Sequence, residues 1–175
     1  MSPSGPGDSE IVNEARVVGL MEIFTNSFRQ AAPEVMTEFA EEKAQEFVDE
    51  LKFKISSQLF NHIPLSRDYY LSKLKNRLDP RILIATGEYL EGIISERVEG
   101  DTSGIVFRCG MARGIHRSSG LPLTTLQRYL ENGTSRMPAR PHWHPESLAF
   151  IGRAHEMGND FRNRLAVRIR TAMQA

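Results

Sequence analysis

The sequence has 175 residues, 40% of them hydrophobic, which is enough for one ordinary domain with extensions and a real core. No apolar run approaches the ~20 residues that a transmembrane helix needs, and the first seven residues lack the basic and apolar regions of a signal peptide, so we expect neither a membrane span nor secretion. The single cysteine, Cys109, cannot form an internal disulfide, and the net charge of zero argues against a general nucleic-acid-binding protein.

Charge is distributed unevenly along the chain. Residues 8–50 include 11 acidic and 3 basic side chains, residues 51–135 include 8 and 12, and residues 136–175 include 3 and 7. The favoured interpretation is a set of solvated helix faces. The alternative is that the acidic end of one copy meets the basic end of another, which would favour head-to-tail rings.

The first half of the chain has helical patterns. Residues 1–8 are predicted to be a flexible leader, followed by an acidic helical extension over 9–32 that starts with Ser9 as N-cap. Pro33 is predicted to separate this extension from a second, longer helix. That helix has an apolar side chain every three or four residues. Ser66 then caps a short helix with Leu71, Leu74 and Leu78 on one face. The apolar stripe of the long helix consists of Met36, Ala40, Ala44, Phe47, Leu51, Ile55 and Leu59.

A β-hairpin is predicted near the middle of the chain. A short helical turn from Thr86 to Leu90 precedes strands over 93–99 and 105–111, and alternating apolar residues in the second strand indicate one buried face. Cys109 lies on that face and is therefore predicted to pack rather than to act as a nucleophile. Beyond a loop, Thr124 and Gln127 predict a capping box for a helix that ends at Gly133.

The segment from Gly133 to Pro145, GTSRMPARPHWHP, is called the strap below. Its three prolines hold φ near −65° and remove backbone donors, so no helix is predicted to run through it. Fully drawn out, its thirteen residues would reach ~40 Å, far enough to touch a neighbouring molecule. A terminal helix is predicted from Glu146 to Met173, with a kink or break at Gly158.

Two histidines in the strap raise the question of a metal. His142 and His144 are one residue apart and could face one ion, with His155 or Glu146 as a third ligand. The spacing is not specific to a metal site, and we favour packing of the imidazoles and Trp143 at a contact surface. The sequence contains no glycine-rich phosphate loop, no recognisable Ser-His-Asp arrangement and no paired-carboxylate motif. We therefore predict no metal, no cofactor and no catalytic residue.

The order of these features resembles a known family. The run Thr86-Gly87-Glu88-Tyr89-Leu90, the hairpin, the helix from Thr124 to Glu131 and above all the run GTSRMPARP at 133–141 are similar to tail-completion and head-tail joining proteins of tailed bacteriophages. These include the families described as putative tail component, minor tail protein Z-like and virion morphogenesis protein. The likeness covers roughly residues 35–175. Family members commonly have an aromatic or apolar residue where His142 stands.

The resemblance implies an α+β fold in which a small twisted, mostly antiparallel sheet is packed by a long helix. Residues 33–175 would form this single domain, with an N-terminal helical extension and a C-terminal helix. The implied function is that of a non-enzymatic structural virion protein of the neck or tail terminus, assembled in the host cytoplasm. It would form a homo-oligomeric ring, often six-fold with twelve-fold as the alternative, that completes the tail and joins it to the head connector.

The resemblance also implies partners and contact residues. Portal-side connector or adaptor proteins and the tail tube protein would bind the ring, while DNA would pass through the lumen without sequence-specific binding. Arg113, His116 and Arg117 are candidates for a channel-facing or DNA-proximal position. Alternatives are a head-side adaptor or stopper under the portal, a metal-dependent enzyme using His142 and His144, and a nucleic-acid-binding module. The interface with a neighbouring subunit or partner is predicted at Gly133, Thr134, Ser135, Arg136, Met137, Pro138, Arg140, Pro141, His142 and Trp143.

Overall fold

A computed structural model describes the backbone of residues 7–98 and 106–174, and the side chains from residue 22 onwards within those ranges. The predicted α+β fold, with a long helix, an antiparallel strand pair and a C-terminal helix, is confirmed. Residues 1–6 of the predicted leader lie outside the described residues. The elements are α1 (Gly7–Ser56), α2 (Arg67–Lys75), α3 (Glu88–Glu91), β1 (Ile93–Val98), β2 (Val106–Met111), α4 (Leu123–Asn132), α5 (Trp143–Gly152) and α6 (Ala154–Gln174).

The N-terminal helical region is one helix, α1, of 50 residues with Pro33 inside it, so the predicted break at Pro33 is wrong. Proline deprives the carbonyl of Arg29, four residues earlier, of its helical donor, but both residues are exposed and water can supply a donor there. The buried neighbours Ala31 and Val35 favour continuation of the helix. Ser9 lies inside α1, two residues after its start, and is not its N-cap.

The chain divides into two compact units, one consisting of Ala40–Ala154 and the other of Met1–Phe39 with His155–Ala175. In the second unit, the ring of Phe39 packs edge-on against that of Phe161, with 5.4 Å between centroids. In the same unit Arg168 of α6 forms an ion pair with Glu34 of α1 at 3.0 Å. The predicted division into an extension over 9–32 and a domain over 33–175 stays a prediction.

The hydrophobic core of the unit Ala40–Ala154 is built on the later part of α1. Within the predicted stripe, Ala44, Phe47, Leu51 and Ile55 are buried, which confirms the helical period there. Leu59 lies beyond the end of α1 and is exposed, so the predicted stripe ends too late. The buried cluster comprises Phe47, Val48, Leu51, Ile55, Ile84, Tyr89, Ile93, Met111, Leu123, Leu130 and Trp143.

The short helix α2 begins as predicted, because the Ser66 hydroxyl accepts a hydrogen bond from the Tyr69 N–H. Its predicted apolar face is wrong, since Leu71 and Leu74 are exposed whereas Lys73 is buried. The Lys73 ammonium donates to the carbonyls of Arg81 and Ile84, both at 2.7 Å. The loop after α2 therefore packs on the lysine because its backbone oxygens need donors.

Strands β1 and β2 pair antiparallel, from Ile93 opposite Met111 to Val98 opposite Val106. The residues predicted to join them, 100–104, lie outside the described residues, and so do the predicted strand residues Glu99 and Ile105. The predicted alternation is confirmed where it can be seen, because Met111 is buried while Val106 is exposed. Cys109 is half-buried, its thiol donates to the Ala44 carbonyl at 3.5 Å, and burial raises its pKa, as expected for a packing residue.

The helices after the sheet differ from prediction at their ends. α4 starts at Leu123 with no side-chain cap, so the predicted capping box at Thr124 is wrong; the Leu123 N–H instead donates to the Gly114 carbonyl at 3.0 Å. The terminal helix is interrupted at Arg153 rather than Gly158, which lies within α6. The Arg153 guanidinium contacts the carboxylate of Glu50 at 2.5 Å, which helps hold the chain at this junction.

None of the described helices combines the length and apolar character that crossing a membrane requires.

Candidate functional site

The strap begins where α4 ends, at Gly133. This glycine has φ 74°, and a Cβ placed on it would lie 2.7 Å from the backbone nitrogen of Ala139, so a side chain there would both strain and crowd the backbone. The chain then closes a tight turn, since Thr134 and Met137 exchange backbone hydrogen bonds of 2.8 and 3.3 Å. The strap therefore folds back on itself, and it is not drawn out as its proline content suggested.

The second half of the strap runs into the core. Arg140, His142 and Trp143 are all buried, and His142 is completely inaccessible to solvent. The predicted absence of helix throughout the strap is wrong at its end, because α5 starts at Trp143 and contains Pro145. Proline is tolerated in the first helical turn, where backbone N–H groups have no intrahelical acceptor.

His142, Tyr89 and Trp143 form a buried chain of hydrogen bonds. Nε2 of His142 lies 2.5 Å from the Tyr89 hydroxyl, and that hydroxyl also accepts from Trp143 Nε1 at 3.3 Å. On its other side, Nδ1 of His142 lies 2.8 Å from the carbonyl oxygen of Arg140, which can only accept. Nδ1 therefore carries a proton, and in the neutral imidazole Nε2 accepts from the tyrosine hydroxyl.

Burial controls the protonation of this chain. Desolvation lowers the pKa of His142 below its ordinary value, and it raises the pKa of Tyr89. His62, whose ring lies 6.3 Å from that of His142, also has a pKa lowered by desolvation. At neutral pH the side chains of His142 and Tyr89 are therefore uncharged, which suits their position in the hydrophobic core.

Glu131, near the end of α4, binds the part of the strap in which α5 starts. Its Oε1 accepts hydrogen bonds from the backbone N–H groups of His142 and Trp143, at 2.8 and 2.7 Å. The same oxygen lies 3.0 Å from His142 Nδ1. A carboxylate at the start of α5 satisfies donors that the helix leaves open and interacts favourably with its dipole.

The exposed part of the strap lies between its two anchored ends. Thr134, Ser135, Arg136, Pro138 and Pro141 are exposed, and Met137 and Gly133 are partly buried. Of the ten residues predicted at an interface, these seven have solvent-accessible surface. Arg140, His142 and Trp143 are buried within their own chain.

Among the residues predicted near a DNA channel, Arg113 and Arg117 are exposed, but His116 is buried. The Arg117 guanidinium forms an ion pair with Glu88 at 3.1 Å, and its backbone N–H donates to the same carboxylate at 3.0 Å. The His116 Nδ1 contacts the hydroxyl groups of Ser118 and Ser119. This loop is consequently held in place by Glu88.

The histidine pair of the strap does not form a metal-binding arrangement with its neighbours. His142 has both ring nitrogens engaged, and Glu146 is buried in an ion pair with Lys54 at 2.5 Å, while His144 is exposed. In the described part of the chain, no group of three His, Cys, Asp or Glu side chains is placed to hold a metal ion.

Sequence reasoning missed the roles of Tyr89 and Glu131. The sequence indicated Tyr89 only as one residue of the run from Thr86 to Leu90. None of its sequence neighbours indicates that its hydroxyl contacts a residue 53 positions later. Glu131 does carry a signal, because an acidic side chain near the C-terminus of a helix opposes the helix dipole. Such a placement indicates that the carboxylate has a partner elsewhere.

An apolar groove of about 500 Å³ lies on the unit Ala40–Ala154. Ile151, at its edge, is 65% exposed, and nearby on α5 Leu148 is 57% exposed. Exposed apolar surface of this kind often marks contacts between proteins. The groove is lined by Ala40, Lys43, Ala44, Phe47, Phe107, Cys109, Trp143, Ser147, Phe150 and Ile151.

Comparisons with protein-family models, curated proteins and solved structures find no match to this chain.

Proposed function

We propose that this chain is a structural, non-enzymatic virion protein of the phage neck or tail terminus. In this proposal it forms a homo-oligomeric ring that completes the tail and joins it to the head connector, with DNA passing through the lumen. The proposal starts from the resemblance of roughly residues 35–175 to tail-completion and head-tail joining proteins. The geometry of the strap is the observation that supports it most directly.

Residues 133–140 of the strap form a turn, called the strap turn below. Backbone hydrogen bonds hold this turn at both ends, and its middle is exposed. At one end the Gly133 N–H donates to the Tyr129 carbonyl at 2.8 Å, and at the other the Arg140 N–H donates to the Leu130 carbonyl at 2.7 Å. A preorganised segment loses less conformational entropy on binding than a floppy loop does. The exposed Arg136 and Pro138 are thus suited to contact a neighbouring subunit.

The apolar groove offers a second contact surface. Its lining combines aromatic rings such as Phe107 and Phe150 with the exposed Ile151. Aromatic residues and arginine are enriched in the energetically dominant parts of interfaces. A ring subunit needs two different surfaces, one for each neighbour, and the strap turn and the groove provide two candidates.

The uneven charge along the chain supports ring assembly less than the sequence alone indicated. Glu34 from the acidic part of the chain and Arg168 from the basic part pair within the same unit of one chain. Some of the charge that would join copies head to tail is therefore neutralised internally. Both side chains are more than half exposed, so the pair itself contributes little to stability.

Mass photometry and negative-stain electron microscopy of the purified chain test the proposal. We expect closed rings for the wild type, loss of rings for Arg136→Glu in the strap turn, and intact rings for Arg128→Glu. Arg128 is the matched control because it is an exposed arginine on α4 outside the strap. A wild-type chain that stays monomeric at micromolar concentration contradicts ring assembly, and rings that persist in Arg136→Glu show that the strap turn is not the interface.

A further experiment separates the tail-side from the head-side assignment. The purified chain is mixed with isolated tails and, separately, with DNA-filled heads, and bound protein is located by electron microscopy. Binding to tails supports tail completion, and binding to heads supports the adaptor or stopper role. Binding to neither contradicts a place in the neck.

A further inference from the structure

A cavity of about 590 Å³ lies beside the strap turn, and both charged residues in its lining are basic. It contains the two arginines of the strap, Arg136 and Arg140, and no acidic residue. An anion entering it would meet positive charge without competition from a lining carboxylate. The full lining is Pro64, Ser66, Tyr69, Arg136, Met137, Pro138 and Arg140.

Arg140 is the central observation. Only 6% of its surface is exposed, and its Nε is buried without a hydrogen-bond partner. Of the ion pairs between described residues, none includes Arg140. A guanidinium keeps its charge in proteins, and a buried charge without a counter-charge is costly. An anion bound beside this side chain would offset that cost.

The surroundings of Arg140 do not supply that anion. Arg140 also lines an adjoining cavity of about 110 Å³ together with Lys73 and His116, again without an acidic residue. The buried Lys73 ammonium donates to two carbonyl oxygens and lies over the Tyr69 ring, and burial lowers the pKa of both Lys73 and Arg140. Asp79, the acid that acts on Lys73, is engaged by the guanidinium of Arg81.

The start of α2 adds to the positive potential. Ser66, the N-cap of this nine-residue helix, lines the cavity, and so does Tyr69 in its first turn. The N-terminal end of a helix carries partial positive charge and favours anions. Asp68 lies in the same turn but does not line the cavity.

We propose that this cavity is an oxyanion site in which Arg140 and Arg136 bind a phosphate or carboxylate group. The planar guanidinium matches the oxygens of both groups and can donate two parallel hydrogen bonds. Both arginines line the cavity, and Arg136 is exposed whereas Arg140 is buried. The site does not depend on ring assembly, because every lining residue belongs to one chain.

Thermal unfolding of the full chain tests the site with inorganic phosphate as the probe. Phosphate is raised at constant ionic strength by replacing sodium chloride, and the Tm is recorded for the wild type, Arg140→Gln, Arg136→Gln and Arg128→Gln. Ligand that binds only the folded state raises the Tm in a concentration-dependent way. We expect this rise in the wild type and in the Arg128→Gln control. In the two cavity variants the apparent affinity should fall about tenfold or more, the loss expected for a hydrogen bond to a charged group.

The site is tested by comparing how much phosphate raises the Tm of the wild type and of each variant. Phosphate also stabilises folded proteins by exclusion from their surface, so an equal rise in all four proteins overturns the site. The absence of a rise in the wild type with both phosphate and acetate overturns it as well. Arg136→Gln keeps the test valid if Arg140→Gln does not fold, because Arg136 is exposed. A parallel series with sodium acetate separates the sources: a response to acetate indicates a carboxylate, such as an acidic side chain, and a response to phosphate alone indicates a tetrahedral oxyanion.

Discussion

The Tyr89 hydroxyl lies 2.5 Å from Nε2 of His142, joining the short helix α3 to the end of the strap. The same hydroxyl accepts from the indole of Trp143, so one tyrosine oxygen connects two strap residues inside the hydrophobic core. This contact fixes where the strap enters the core, and thereby the position of its exposed turn.

Tyr89→Phe is expected to lower the free energy of unfolding by about 1–3 kcal/mol. The substitution keeps the ring but leaves the His142 and Trp143 ring nitrogens buried without their partner. Urea denaturation measures the change. Tyr70→Phe is the control, because Tyr70 is 43% exposed and its loss of a hydroxyl should alter stability by less than about 0.5 kcal/mol. Equal losses in both variants would contradict an energetic role of the hydrogen-bond chain.

Stability is expected to fall when the pH decreases below about 6.5. Burial lowers the pKa of His142 and His62 in the folded state, so the unfolded chain, with pKa values near 6.5, takes up protons first. Their contribution is fully present above pH 6.5 and is lost as the pH falls towards the folded-state pKa. The loss at about pH 5.5 is up to about 1.4 kcal/mol per histidine.

The measurement for this prediction is the free energy of unfolding by urea at about pH 7.5 and about pH 5.5. His142→Gln is expected to be less stable than the wild type at the higher pH but to lose less on acidification, because one of the two titrating groups is gone. A pH dependence identical to that of the wild type would show that His142 is not the group responsible.

Glu131→Gln is expected to destabilise the chain by about 0.5–2 kcal/mol, since it removes the charge that caps the start of α5. The backbone N–H groups of His142 and Trp143 would retain only a neutral acceptor. Glu41→Gln, an exposed position within α1, makes the same chemical change without a cap and should be nearly neutral. Thermal or urea unfolding compares the two, and similar effects would speak against the capping role.

Gly133→Ala is expected to cost more than Gly120→Ala. Both glycines have positive φ, 74° and 67°, so each substitution carries a strain of about 1 kcal/mol. Only at Gly133 does the new Cβ meet backbone atoms, 2.7 Å from Ala139 N and 3.0 Å from Met137 O, whereas nothing lies within 4 Å at Gly120. The difference between the two losses, measured by urea denaturation, should exceed about 1 kcal/mol. Equal losses would mean that the strap turn adjusts freely.

Local chemistry let the sequence predict much of the scaffold. The apolar period of α1 between Ala44 and Ile55, the Ser66 cap of α2 and the alternation in β2 each depend on residues a few positions apart. The stop at Gly133 is local as well, because it rests on a backbone conformation that glycine tolerates. These features are present in the structure.

Contacts between distant residues decided the rest. Pro33 is a helix breaker by its chemistry, yet α1 continues through it with Ala31 and Val35 buried. The proline chemistry of the strap indicated an extended segment, but Leu130, Glu131 and Tyr89 bind its far end and turn Arg140, His142 and Trp143 inwards. By itself the sequence determined the helical period of α1 between Ala44 and Ile55, the cap of α2, the strand pair and the stop at Gly133, because those preferences act over a few residues. Only the tertiary structure decided which strap residues face the core and which remain exposed, because that choice depends on partners far away in the chain.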